Sequence, residues 1–91
     1  MSTNRLEELE VPEVVLRSRE RAELARIWLA DGSQVAVISE RLWSDPGVWG
    51  LMLVDLAKHV AQAYAQNGTP SDLALKKIKE AMDAEWASPT F

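Results

Sequence analysis

The pair Asp45-Pro46 constrains this chain more than any other two residues. Aspartate is a preferred N-cap because its carboxylate accepts a hydrogen bond from an N–H that the first helical turn leaves unpaired. Proline suits the next position, where its missing N–H is not needed. Asn67-Gly68 supplies a stop, since helices commonly end on a glycine in the left-handed region. The spacing predicts a helix from Pro46 to about Gln66. At roughly 100° per residue, Trp49, Met52, Leu53, Leu56, Val60, Ala63 and Tyr64 share one side, with Ala57 at its edge. Lys58 and Gln62 fall opposite, but Leu51 and Val54 lie off the main stripe. A helix apolar over more than half its circumference calls for neighbours on two sides. Gly50 is expected to admit close packing of Trp43 or of a neighbouring element.

A second helix is expected beyond the Asn67-Gly68 stop. Thr69 is expected to cap it, Pro70 to start it, and Asp72 to sit where a capping-box acid would. Leu75, Ile78, Met82 and Trp86 form its stripe, while Lys76, Lys77, Lys79 and Glu80 form its wet side. Ala87-Ser88-Pro89 ends it.

Upstream, Ala25–Ala30 and Gln34–Ser39 read as two strands around Asp31-Gly32, a strong hairpin signal. A three-residue loop, Ala30-Asp31-Gly32, would pair Leu29 with Ser33, Ile27 with Val35 and Ala25 with Val37. That register gathers Ala25, Ile27, Leu29, Val35 and Val37 on one face, whereas a two-residue loop would pair Trp28 with Val35 and mix the faces, so a clean partition favours the three-residue loop. A rival reading continues a helix through Leu24 and Trp28 to a stop at Gly32. Before the hairpin, Ser18 is expected to cap a short helix over Arg19–Leu24. Glu13–Arg17 forms either an edge strand or an irregular segment. Residues 1–12 are polar and acidic and are expected to form a flexible arm, with residues 13–91 as a single domain.

With 47% hydrophobic and 26% charged residues, the chain has the make-up of an ordinary globular domain. Net charge is −4 and neither half is basic: six arginines face nine acids up to residue 45, and four lysines face five acids after it. Nucleic acids and anionic membranes, which require a basic patch, are therefore not expected partners. There are no cysteines, which excludes disulfides, thiol catalysis and thiolate metal sites. The first residues lack the apolar core of a signal peptide, and no run approaches the ~18 apolar residues of a membrane span. The expected location is the cytoplasm of a bacterial-type cell.

His59 is the single histidine, and Asp55 stands one helical turn before it. Together they could form a pocket rim that activates water or binds a ligand; the alternative is a boundary histidine with a surface partner. Two ligands are too few for a metal, and no serine has a nucleophile-elbow context. We expect no catalytic residue, metal or cofactor. The tryptophans are the other candidates. Trp49 is expected in the core, and Trp43 could pack on the first helical turn in the manner of a hydrophobic staple. Trp28 and Trp43 are the candidate interaction anchors, since tryptophan is favoured at binding hot spots.

The run Leu42-Trp43-Ser44-Asp45-Pro46-Gly47-Val48-Trp49-Gly50, continuing through Val54-Asp55-Leu56-Ala57-Lys58-His59-Val60 to Tyr64, resembles a small, chiefly alphaproteobacterial family of proteins of unknown function. Its members are about ninety residues long, with an Arg-Ile-Trp…Asp-Gly hairpin and a closing Asp-Ala-Glu-Trp…Pro-Thr pattern, matched here by residues 83–90. The resemblance marks Asp55 and His59 as parts of the family pattern and implies no activity.

The expected fold is α+β: an antiparallel hairpin of two or three strands, packed by two C-terminal helices, with a short N-terminal helix. A lone hairpin is marginal in water. Either Val14–Leu16 adds a strand or a second copy of the chain covers the outer face. The expected role is a small cytoplasmic interaction or accessory domain, working as a homodimer or on a protein partner. The alternative is a ligand-binding or enzymatic domain built on Asp55 and His59.

Overall fold

The computed structural model describes residues 8–89. Residues 1–7, most of the expected N-terminal arm, and residues 90–91, the end of the closing motif, lie outside the described residues. The element order is α1 (Glu13–Arg17), β1 (Ala25–Ala30), β2 (Ser33–Ile38), α2 (Gly47–Ala65) and α3 (Ser71–Ala87). This is an α+β fold with an antiparallel two-stranded hairpin, a short N-terminal helix and two C-terminal helices. The chain divides into two compact units, one up to Leu42 and one from Trp43 onward.

In the first unit the short helix lies one segment earlier than expected. It spans Glu13–Arg17, and Val14–Leu16 adds no third strand to the sheet. Pro12 is extended (φ −63°, ψ 148°), and its carbonyl accepts the N–H groups of Val15 at 3.0 Å and Leu16 at 3.3 Å. Ser18 does not open a helix; it closes this one. Its hydroxyl donates to the Val14 carbonyl at 2.6 Å, and Arg21 reaches back to the Leu16 carbonyl at 2.6 Å. A serine side chain can accept at a helix start or donate at a helix end. Here the carbonyls upstream recruit it, and residues 19–24 stay non-helical.

The hairpin has a two-residue loop, which corrects the expected register. Asp31 (φ 52°) and Gly32 (φ 80°) both lie in the left-handed region, the signature of a type I′ turn. Ala30 pairs with Ser33, Trp28 with Val35, Ile27 with Ala36 and Ala25 with Ile38. The Ser39 N–H extends the ladder by donating to the Leu24 carbonyl at 2.8 Å. The twist of a type I′ turn matches that of the strands, and this local geometry sets the register. A clean partition between faces has force only where one face is buried, and here both faces keep apolar residues exposed.

In the second unit the helix start follows expectation. Pro46 is already helical (φ −59°, ψ −24°), and Asp45 caps by accepting the Gly47 N–H at 2.8 Å. The far end closes in a Schellman motif. Gly68 (φ 97°) donates to Ala65 at 3.3 Å, and Thr69 donates to Tyr64 at 3.2 Å. Thr69 belongs to this closing turn through its backbone, and its hydroxyl forms no cap on α3. Pro70 takes the cap position, with its carbonyl accepting the Ala74 N–H at 2.9 Å. Asp72 accepts from Leu73 at 3.0 Å, not from a capping-box donor.

The two helices pack on alanines. Ala61 (2% exposed) and Ala74 (5%) are the buried hydrophobic residues among those described. Small side chains let two helix backbones come close, so the line of contact runs through residues with little side-chain area. The expected α2 stripe is not that line: Leu53, Leu56, Val60 and Tyr64 remain exposed. Gly50 is exposed too, and a Cβ there would meet nothing within 4 Å, so it is not the packing glycine expected. No helix among the described residues is long and apolar enough to cross a membrane.

Candidate interaction surface

The type I′ register decides what each face of the hairpin offers. Directly paired residues share a face. Ala25, Ile27, Leu29, Gln34, Ala36 and Ile38 form one face, apolar except for Gln34. Ile27, Leu29 and Ile38 are each more than half exposed, Leu29 to 80%. The other face carries Arg26, Trp28 and Ala30 beside Ser33, Val35 and Val37. Trp28 is half-buried there, and Val35 and Val37 are exposed. Arg26 is held by Glu23 at 2.7 Å, and its pKa is raised by that hydrogen bond and then by the Glu23 charge. Both strands are also sheet edges, since the sheet has two strands. Their outer backbone groups can still pair with another strand.

Trp43 lies against Trp49. Their ring centroids are 5.1 Å apart at an interplanar angle of 77°, an edge-to-face contact. With Asp45 as the cap, Trp49 is the fourth helical residue and Trp43 stands two before the cap. The pair works as a hydrophobic staple displaced by one position. Both tryptophans are half-buried, so Trp49 is not the fully enclosed core residue expected of it.

Asp55 and His59 do stand together, with Oδ2 3.6 Å from Nδ1. That is ion-pair distance for a protonated imidazole, but too long for a hydrogen bond. Their side chains are 70% and 64% exposed. Neither residue borders the grooves of about 410 and 600 Å³ that flank the α2–α3 contact. Among the described residues, no group of three or more His, Cys, Asp or Glu is arranged to hold a metal ion.

Trp86 is the residue that sequence reasoning misplaced. Helical periodicity put it on the buried stripe of α3, yet it is 89% exposed. Its direction around the helix is as expected, but it stands on the last turn, past the alanine contact. Leu51 is 73% exposed for a related reason: it points to the side of the contact line, not along it. A position near a helix end and an angle away from the stripe centre were the available signals.

Comparison with known proteins gives the chain a family but no chemistry. The model of DUF5076, a domain of unknown function, matches residues 8–90. A solved structure from the photosynthetic bacterium Rhodopseudomonas palustrus CGA009, described as that of a "putative pyruvate dehydrogenase", is 32% identical in sequence. It superposes with a TM-score of 0.74, covering 99% of this chain and 92% of that one. No curated protein matches the chain. With nearly its whole described length matched, the chain belongs to the DUF5076 family.

Proposed function

We propose that the chain is a small non-enzymatic interaction or accessory module of the bacterial cytoplasm. It works through protein contact, as a homodimer or on a protein partner, with Trp28 and Trp43 as anchors. One observation carries the reading: the hairpin turns Ile27, Leu29 and Ile38 outward on one face and Val35 and Val37 on the other. Exposed contiguous apolar surface of this kind marks interaction sites in soluble proteins. Trp28 sits half-buried among the second set, as an anchor with its ring partly wet does before a partner arrives. A net charge of −4 turns the proposal toward proteins and away from nucleic acid or anionic lipid.

An enzyme built on Asp55 and His59 would need the pair walled from water, where a carboxylate can tune an imidazole. The pair instead stands on the open side of α2. The description of the structural neighbour as a "putative pyruvate dehydrogenase" belongs to that protein.

The test is a pair of variants in the native cell, each checked for folding by circular dichroism. His59→Ala should keep the wild-type phenotype and Trp28→Ala should lose it. A phenotype that tracks His59 and ignores Trp28 would reject the interaction reading in favour of the pocket.

A further inference from the structure

We propose that one flank of the helical unit, formed by Leu51 and Val54 of α2 with Leu75, Met82 and Trp86 of α3, is the contact through which two copies of this chain associate. The inference goes beyond the interaction reading above: it concerns a second surface, on the helical unit, and names a second copy of the chain as its occupant. Val54, Leu75, Met82 and Trp86 line an apolar groove of about 410 Å³ together with Ala57 and Ile78. Leu51, one helical turn before Val54, continues the same side. Val54 is more than half exposed, Leu51 and Trp86 much more. Lys58 on one rim and the Lys79–Asp83 pair (2.8 Å) on the other leave the edges polar and mixed in sign.

Three physical points favour a second copy. The first is area. From these exposures the flank offers on the order of 500 Å² of apolar surface, near the top of what a monomer leaves in one patch. Two such flanks with their rims reach about 1,200–1,400 Å² in total, enough for a specific interface. The second is need. The fully buried hydrophobic residues among those described are two alanines, and Leu51, Leu53, Val54, Leu56, Met82 and Trp86 stay exposed, so much of the pair's apolar area is left open to water. A second copy is supplied in equal number and offers the same apolar flank. Two helical hairpins meeting face to face form a four-helix arrangement, a stable solution for such pairs of two-helix units. The third is charge. A rim carrying both lysine and aspartate can face its own image about a two-fold axis, with each sign finding the other.

The experiment uses the full chain. Light scattering after gel filtration at tens of micromolar should give twice the 10.2 kDa of one chain. Trp86→Glu replaces a side chain that the single chain leaves open to water, so the protomer should still fold. It should raise the dissociation constant at least a hundredfold. Because the chain has no cysteine, Met82→Cys gives a unique thiol, and a short bismaleimide should join two copies through it. Leu29→Cys, on the hairpin, is the control and should cross-link poorly. A wild-type chain that stays at 10.2 kDa throughout would overturn the inference while leaving the Trp28 phenotype to judge the interaction reading separately. A dimer that survives Trp86→Glu and cross-links through Leu29→Cys would also overturn it, by moving the contact to the hairpin.

Discussion

The hairpin and the helical pair are held by different means. The hairpin is a product of the backbone: a type I′ turn, a ladder from Ala25–Ile38 to Ala30–Ser33, and no buried side chain along either strand. The helical pair depends on side chains, and the fully buried ones among the described residues are the smallest, Ala61 of α2 and Ala74 of α3. In neither unit is a large apolar side chain among the described residues fully buried; Met52, Leu75 and Ile78 are half-buried in the helical pair. Leu29, Leu51 and Trp86 face outward instead. Where small residues and backbone geometry set the fold, the large residues remain available for contact with something else. An interaction module needs that division of labour.

The sharpest way to break the comparison is to enlarge the alanine contact. Ala61→Leu forces three extra carbons between two close backbones and should cost about 1–3 kcal/mol, as overpacked cores do. Urea denaturation followed by far-UV circular dichroism would show the loss. An unchanged midpoint would mean the helices do not meet at Ala61. The matching change in the hairpin is Gly32→Ala. A residue with a Cβ at φ 80° should destabilise the turn by about 1–2 kcal/mol. Amide exchange across β1 and β2 should then quicken by roughly tenfold, with α2 and α3 much less affected. Equal quickening in both units would show that they unfold together and are not held by separate means. The smallest effect has the opposite sign. Gly50 lies inside α2 with open space where a Cβ would stand, so Gly50→Ala should stabilise by about 0.5–1 kcal/mol. A loss of stability would indicate that something packs on Gly50 in solution.

Much of this architecture is legible in the residues. The ends of α2 are set by short-range hydrogen bonds, from Gly47 to Asp45 and from Gly68 and Thr69 back to Ala65 and Tyr64. Such chemistry can be read from a few neighbouring letters. The Asp31-Gly32 turn is legible for the same reason, and the strand bounds lie within a residue of expectation. The register was misread because face partition was weighed above the turn, and that partition presupposes burial that the hairpin does not have. α1 was misplaced because a serine hydroxyl serves a helix start or a helix end equally well, and only the carbonyls around Ser18 show which. The helix contact was hidden by its own residues: alanine contributes little to a hydrophobic stripe, yet close approach selects for it. Among the candidate site residues, helical spacing alone brings Asp55 to His59 and Trp43 to the first turn of α2. For Trp86 the one local signal was its place on the last turn of α3, because exposure at a helix end depends on where the neighbouring helix stops.

If a second copy covers the exposed apolar flank, stability should register it directly. Unfolding of a folded dimer to separate chains is a mass-action process, so its midpoint depends on protein concentration. Urea denaturation of the wild-type chain across a hundredfold range of concentration tests this in one experiment. A chain that folds as a dimer should show a midpoint that rises steadily with concentration. A midpoint that stays fixed across the whole range would contradict the dimer, and would mean that a single copy is stable with these faces open to water.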